Sequence, residues 1–145
     1  MEIYTIGFTK KSAAEFFRLL KVNDIRRIVD IRLSNSGQLA GFTKQDDLQF
    51  FLSEICDADY VHEPMLAPTK ELLSSYRDKQ CSWAEYERVF DGLMQERCID
   101  ENIDRSLFAQ RSALLCSEPT ADQCHRRLVA EYLQRAWGNV DIVHL

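Results

Sequence analysis

Short apolar runs rich in β-branched residues alternate along this chain with longer segments of helical periodicity. In the longer segments, apolar residues recur at spacings of three and four, which predicts amphipathic helices. Strands that alternate with helices form parallel sheets covered on both faces. We therefore predict an α/β protein with three α/β/α layers, a mainly parallel sheet of about five strands, and a single domain over residues 1–145. The predicted strands are Glu2–Ile6, Ile28–Ile31, Asp59–His62, Ser112–Cys116 and Val140–His144.

Capping residues and periodicity set the expected helix boundaries. Ser12 and Glu15 have the spacing of a capping box, and Gly138 is a typical stop after a helix. Five helices are predicted. The first follows Ser12, the second begins at Thr43 or Lys44, and the third extends from Pro68 or Thr69 through Arg77. The fourth begins near Ser82, and the fifth extends from Gln123 to Trp137. Apolar residues at helical spacing, including Val22, Ile55 and Val89, are expected on the inward faces.

Composition excludes several classes of protein. The 145 residues carry a net charge of −5, so a general affinity for duplex nucleic acid is not expected. No run reaches the 18 apolar residues of a membrane-spanning helix, and a strand-like segment follows Met1 where a secretory signal would begin. The odd number of cysteines, 5, favours free thiols in a reducing compartment. We therefore expect a cytoplasmic protein without a membrane partner.

Chemically active side chains concentrate at one junction, where the fourth predicted strand gives way to the last helix. Within twelve residues the chain carries Cys116, Glu118, Cys124, His125 and Arg126. In open parallel sheets, ligands bind where a strand ends and the next helix begins. We therefore expect Cys116, Cys124, Glu118 and His125 to be the catalytic groups.

The ends of the other strands contribute to the same predicted crevice. We expect Arg32 and Arg126 to bind an anion. Asp30 lies within a buried run, where its carboxylate either accepts hydrogen bonds from loop amides and Arg32, which we favour slightly, or serves as a general base. Gly7, Thr9 and His62 are expected to support the site, His62 as a hydrogen-bonded structural residue.

Two thiols and an imidazole separated by one loop allow three chemistries. They could ligate a metal, form a transient redox pair, or leave one cysteine as a nucleophile. A structural zinc site usually pairs its cysteines at short spacing and uses four ligands, whereas seven residues separate Cys116 from Cys124 and no second pair exists. We therefore assign no metal ligand from the sequence, and a Cys/His metal site remains the second alternative.

The expected position of each thiol predicts its reactivity. Cys124 lies at the predicted start of a helix beside His125 and Arg126, which should lower its pKa. Cys116 ends a buried strand, where desolvation should raise its pKa. The sequence therefore predicts Cys124 as the reactive thiol and Cys116 as its resolving or structural partner.

Four motifs resemble those of the family known as domain of unknown function 488. The resemblance covers nearly the whole chain and implies a fold and a site but no reaction. Two departures are Phe8, where the family often has His, and Leu33–Gln38, where it usually has a tract rich in Pro and Arg. The motifs are Tyr4–Gly7, Val29–Arg32, the weaker Tyr60–His62, and Cys116-x-Glu118 with Cys124-His125-Arg126, which is the most specific.

These features together predict a reactive-thiol enzyme acting on an anionic substrate that bears phosphate or carboxylate, nucleotide-like substrates included. The alternative is a non-catalytic module that binds an anion, a nucleotide or a nucleic acid. The chain lacks the glycine-rich dinucleotide fingerprint and the phosphate-binding P-loop. No cofactor and no oligomeric state follow from the sequence.

Overall fold

A computed structural model describes residues 1–34, 41–118 and 120–145. Within these ranges five strands form one sheet in the order β3-β2-β4-β1-β5, and every neighbouring pair is parallel. The α/β prediction is confirmed. The strands are β1 (Glu2–Gly7), β2 (Arg27–Asp30), β3 (Asp59–His62), β4 (Ser112–Cys116) and β5 (Asp141–His144).

Helices cover both faces of this sheet, as the three-layer prediction requires. Shorter turns connect them: the 3-10 turns are Gly41–Thr43, Pro64–Leu66 and Arg105–Phe108, and a π-helical turn spans Leu52–Cys56. The helices are α1 (Ala13–Val22), α2 (Gln45–Phe51), α3 (Lys70–Arg77), α4 (Trp83–Glu96), α5 (Ile99–Asn102) and α6 (His125–Trp137).

Successive residues of each strand serve two separate cores. Ile28 packs in the core beneath α1 and α2, whereas Val29 packs in the core beneath α4 and α6. Both side chains have 0% exposure, and burying an aliphatic side chain of this size is worth about 1.5–3 kcal/mol. The same alternation determines the face on which each polar side chain lies. Asp30 is on the same face as Ile28, and Cys116 is on the same face as Leu114, which is the opposite one.

Three helices begin at the hydroxyl residues that the sequence offers as caps. The side chains of Ser12, Thr69 and Ser82 each accept a hydrogen bond from the backbone amide three residues later. Such a cap is worth about 1 kcal/mol because it satisfies an amide that lacks a partner within the helix. Residues of two of these capped helices, α3 and α4, line the candidate site described below.

The strand order places the end of β4 at a topological switch. The helices that follow β1 and β2 lie on one face of the sheet, whereas α6, which follows β4, lies on the other. β4 lies between β1 and β2 in the sheet. The connection that follows Cys116 therefore runs to one face of the sheet, while the connections that follow its two neighbouring strands run to the other face. Open α/β sheets bind ligands in the crevice that forms at such a point.

Three inward-facing assignments are wrong. Val22 is 72% exposed, Ile55 40% and Val89 39%. Val22 is the last residue of α1, where the helix has already passed the core. Ile55 lies in the π-helical turn, whose wider repeat rotates it away from the face predicted for a regular helix.

Two sequence features fall outside the described residues. The segment from Leu33 to Thr43, predicted to be a polar loop, includes residues 35–40, and the departure at Leu33–Gln38 includes residues 35–38; the structure describes none of residues 35–40. The same applies to Pro119. Among the helices of the described ranges, none has the length and apolar character needed to cross a membrane.

Candidate functional site

A cavity of about 830 Å³ opens at the carboxyl end of the sheet. Sites for small molecules usually measure about 300–1,000 Å³, so this cavity can enclose most of a metabolite. Four of the groups predicted as site residues line it directly: Cys116, Glu118, Cys124 and His125. Arg32 lines it from the end of β2.

Cys116 and His125 form a polar pair in the floor of this cavity. The Sγ atom of Cys116 lies 3.3 Å from Nδ1 of His125. The other ring nitrogen, Nε2, lies 2.8 Å from the backbone oxygen of Ile31. Because a carbonyl oxygen can only accept, Nε2 carries the hydrogen and Nδ1 of the neutral ring is an acceptor. The imidazole is thus oriented to receive the proton of Cys116.

The two thiols have pKa values in the order opposite to the one expected. A hydrogen bond from Cys124 lowers the pKa of Cys116, with help from the backbone of Ser117 and the charge of Arg126, and these effects outweigh the opposing effect of burial. The same hydrogen bond to Cys116, together with burial, raises the pKa of Cys124. Cys116 is therefore the thiol that favours the thiolate, and Cys124 remains its protonated donor.

The start of α6 explains this reversal. The helix begins at His125, and Cys124 is its N-cap with extended backbone angles (φ −138°, ψ 140°), not a residue of the first turn. Its side chain makes no capping hydrogen bond and is only 2% exposed. The expectation that its position at the helix start lowers the pKa of Cys124 was therefore wrong, because its side chain is buried and hydrogen-bonded to Cys116.

Arg126 is buried and does not line the cavity, where its predicted role in anion binding would place it, so that role stays a prediction. Its side chain has 0% exposure and packs beneath α6, where Nη1 donates to the backbone oxygen of Glu118 (2.6 Å) and Nε to Thr5 Oγ1 (3.3 Å). No carboxylate within the described ranges forms an ion pair with it. Its Nη2 has no hydrogen-bond partner there either. Its charge instead favours the thiolate of Cys116.

Asp30 and Arg32 form a buried ion pair at the end of β2. The Asp30 carboxylate accepts from Arg32 Nε (2.9 Å) and Nη2 (2.8 Å), and also from the Tyr60 hydroxyl (2.5 Å). Arg32 also donates to the backbone oxygen of Thr43, and its guanidinium lies over the ring of Phe8. Asp30 thus has the geometry of a structural acceptor, and much of the Arg32 charge is already neutralised.

The remaining predicted residues support the loop after β4 and the end of β2. The backbone amide of Thr9 donates to the oxygen of Ser117 (2.9 Å), and Gly7 lies directly beneath the backbone of Glu118. His62 contacts the backbone oxygen of Arg32 through Nε2 (2.9 Å). None of these three residues is among those that line the cavity.

Comparison with known proteins identifies the family. The family model described as domain of unknown function DUF488 matches residues 12–133. The chain belongs to the DUF488 family. Among curated proteins and among solved structures, no significant match was found. The segment matched to DUF488 contains the Asp30–Arg32 pair and the whole cysteine-histidine cluster, whereas the glycine at the end of β1 precedes it.

Three cationic residues of this DUF488 cavity were not predicted from the sequence to be site residues. Lys70, Arg77 and Lys79 line the cavity. None of them forms an ion pair with any other residue that the structure describes. Among the described lining residues these three cations oppose one carboxylate, Glu118, so the cavity is positive in a protein of net charge −5, and Arg32 adds little because Asp30 pairs with it. Lys70 and Arg77 are seven residues apart on α3, a spacing that places both on one helix face and was the available signal.

Aromatic rings form the wall beside these cations. Trp83 and Tyr86 stack with ring centroids 5.0 Å apart, and both line the cavity together with Tyr76. The Tyr76 hydroxyl donates to Gln123 (3.0 Å), which joins α3 to the segment before α6. Trp83 is the first residue of α4 and Tyr86 lies one turn later. They pack against the core and also present apolar surface to the cavity.

Proposed function

We propose that this protein is an enzyme that uses Cys116 as a nucleophile on anionic small molecules, nucleotide-like compounds included. The observation that carries this proposal is the 3.3 Å contact between Cys116 Sγ and His125 Nδ1 at the floor of a cavity lined by cations. A thiol beside a base that a third group orients is the arrangement that enzymes use for covalent catalysis. Here the backbone oxygen of Ile31 orients the base.

The proposed reaction has two steps. Nδ1 of His125 takes the Cys116 proton, Sγ bonds to the electrophilic carbon or phosphorus, and the leaving group departs with its electron pair and takes that proton. Water then cleaves the new thioester or thiophosphate bond and restores the thiol. The hydrogen bond from Cys124 and the charge of Arg126 favour the thiolate before attack. Glu118, which also lines the cavity, would accept the proton of the attacking water, and that proton then returns to the departing Sγ of Cys116 to restore the thiol.

Anion binding follows from the charges around the cavity. Lys70, Arg77 and Lys79 supply positive charge without an ion-pair partner among the described residues, and the cavity also reaches the first residues of α6. A helix N-terminus favours negative charge, so it reinforces these cations. The ring of Trp83 offers a surface for an aromatic part of the substrate, and therefore a nucleotide-like compound fits this site.

The proposal can be tested with a neutral and an anionic alkylating agent on reduced, metal-free protein. Labelling rates with iodoacetamide and iodoacetate are measured by mass spectrometry at each cysteine, with the exposed Cys98 as internal reference. We expect the ratio of iodoacetate to iodoacetamide rates to be higher at Cys116 than at Cys98. Inorganic phosphate and a nucleoside monophosphate should slow labelling of Cys116 alone.

One variant distinguishes the contribution of the base, His125, from that of the anion-binding cations. His125→Gln should slow labelling of Cys116 at pH 7, with its preference for the anionic agent retained, because the cations remain. A Cys116 that labels no faster than the buried Cys124 under these conditions would contradict a nucleophilic role. Phosphate binding without any reactive Cys116 would favour the non-catalytic binding module instead.

The thiol content also supports a cytoplasmic location. All five cysteines are free, and Cys98 is exposed. Exposed thiols persist in reducing compartments and are oxidised outside them. Cysteine trapping in intact cells tests this part of the proposal, with Cys98 expected to be reduced.

A further inference from the structure

The cluster at the floor of the cavity has a second chemical property. One donor atom from each of Cys116, Cys124 and His125 lies within 4.8 Å of the other two, and all three residues are buried. Zinc binds sulfur at about 2.3 Å and imidazole nitrogen at about 2.0–2.1 Å, which places tetrahedral donors about 3.4–3.8 Å apart. The distance of 3.3 Å between Cys116 Sγ and His125 Nδ1 is close to that spacing.

The orientation of His125 also matches that of a metal ligand. Its Nε2–H donates to the backbone oxygen of Ile31 (2.8 Å), so the free lone pair on Nδ1 points towards the sulfur of Cys116. Histidines that bind metals almost always donate their other ring N–H to a carboxylate, a carbonyl or water, which fixes the ring and its tautomer. This orienting contact exists here independently of any ion.

We propose that Cys116, Cys124 and His125 bind one Zn²⁺ ion. Two thiolates and an imidazole are ligands that zinc favours, and three protein ligands leave a fourth position for water or an anionic ligand. That position faces the cavity, because all three residues line it. Two thiolates also neutralise the charge of the ion, so a buried location carries no uncompensated charge.

The usual spacing of zinc ligands in a sequence did not identify these three residues as a metal site, and the reason is geometric. That spacing requires a second pair of ligands far along the chain, whereas the third ligand is adjacent to the second. Cys124 is the N-cap of α6 and His125 its first residue. The change from extended to helical backbone between them turns both side chains towards the end of β4 and Cys116.

This inference does not rest on the nucleophilic role proposed above. A single molecule cannot hold the metal ion and a free Cys116 thiol at the same time. A bound ion occupies the lone pair of Cys116 Sγ and of His125 Nδ1. The metal-bound protein therefore has a masked thiol, and its reactive centre becomes the fourth coordination position. Binding also displaces the thiol protons, so zinc affinity should fall as the pH falls.

Cobalt titration of reduced, metal-free protein tests the proposal. Co²⁺ in a tetrahedral site with thiolate ligands gives sulfur-to-metal charge-transfer bands in the near ultraviolet and ligand-field bands in the visible. We expect one equivalent of Co²⁺ to bind, and Zn²⁺ to displace it. Cys116→Ser, Cys124→Ser and His125→Gln should each weaken Zn²⁺ binding at least about 100-fold, because outer-shell changes alone cost about 10–100-fold.

The matched control is Cys81→Ser, since Cys81 lines the same cavity but is not in the cluster. It should retain Co²⁺ and Zn²⁺ binding, and circular dichroism would establish that each variant is folded. Saturating Zn²⁺ should protect Cys116 from iodoacetamide and leave Cys81 unaffected. Absence of the charge-transfer band in folded wild-type protein would overturn the zinc site, as would a band that depends on Cys81.

The outcomes also separate the two proposals. A Cys116 that is inert without metal, in a protein that binds Zn²⁺ through the cluster, supports the zinc site and overturns the nucleophile. A reactive Cys116 whose labelling is unchanged by saturating Zn²⁺ supports the nucleophile and overturns the zinc site.

Discussion

A Cβ atom built on Gly7 would lie 1.6 Å from the backbone oxygen of Glu118. The loop that follows Cys116 therefore rests directly on the end of β1, in space that no other residue type leaves open. The same Cβ would also lie 2.8 Å from Nη1 of Arg126, which donates to that oxygen. Gly7 thus allows the close packing that places Cys116, Glu118 and α6 around one cavity.

Gly7→Ala should destabilise the protein by about 3 kcal/mol, because overpacking a rigid backbone contact typically costs about 1–3 kcal/mol. The free energy of unfolding from urea denaturation measures this. Gly92→Ala is the matched control, since a Cβ there meets nothing within 4 Å and Gly92 lies within α4. The control should gain about 0.5–1 kcal/mol from helix propensity. Equal effects of the two substitutions would contradict the close contact.

Asp30→Asn should cost about 3 kcal/mol of stability, because it leaves the guanidinium of Arg32 buried without its counter-charge. Denaturant unfolding is again the measurement. Asp24→Asn removes an exposed ion pair with Arg26 and should change stability by less than about 0.5 kcal/mol. If Asp30→Asn were as mild as this control, the Asp30–Arg32 pair would not stabilise the end of β2.

Arg126→Met should move the labelling midpoint of Cys116 to higher pH, because the Arg126 charge helps to lower the pKa of that thiol. At pH values below the midpoint, each unit of upward shift reduces the thiolate fraction about tenfold. Rates of iodoacetamide labelling between pH 5 and 9 report the midpoint. Arg126→Lys keeps the charge and should shift it less. Arg127→Met removes surface ion pairs with Glu87 and Glu131 and should leave it unchanged.

The double variant Lys70→Gln with Arg77→Gln should reduce the preference of Cys116 for iodoacetate over iodoacetamide, with Lys79 still in place and the reaction with iodoacetamide retained. Removing two cations from the cavity weakens the attraction of an anion and leaves the thiol and its base in place. A double variant at Arg18 and Lys21, which lie on α1 away from this cavity, is the control. If both double variants behaved alike, the effect would come from net charge alone.

The fold follows from the sequence because its signals are local. Alternation of apolar runs with capped, periodic segments predicts strands and helices, and parallel strands bring their carboxyl ends to one edge wherever they lie in the sheet. Cys116, Glu118, Cys124 and His125 therefore meet as expected. The strand order, which places β4 in the centre, depends on contacts between distant segments and has no local signal.

The chemistry of individual groups was less predictable because it depends on the direction of a side chain. The helix was predicted to start at Gln123 and starts two residues later at His125, which turns Cys124 from an expected helix-dipole thiolate into a buried hydrogen-bond donor. Arg126 projects beneath α6 and not into the cavity. The cations of α3 lie near the site only because helix packing brings them there.

The pH dependence of labelling at Cys116 and Cys124 tests the central claim most directly. Reduced, metal-free protein is treated with iodoacetamide from pH 5 to 9, and both cysteines are quantified by mass spectrometry. The lowered pKa of Cys116 and the raised pKa of Cys124 predict that Cys116 reacts first, with a midpoint below the ordinary cysteine value of 9.0. Cys124 should remain unlabelled at neutral pH. Labelling of Cys124 before Cys116, or a Cys116 midpoint at or above 9.0, would contradict the account.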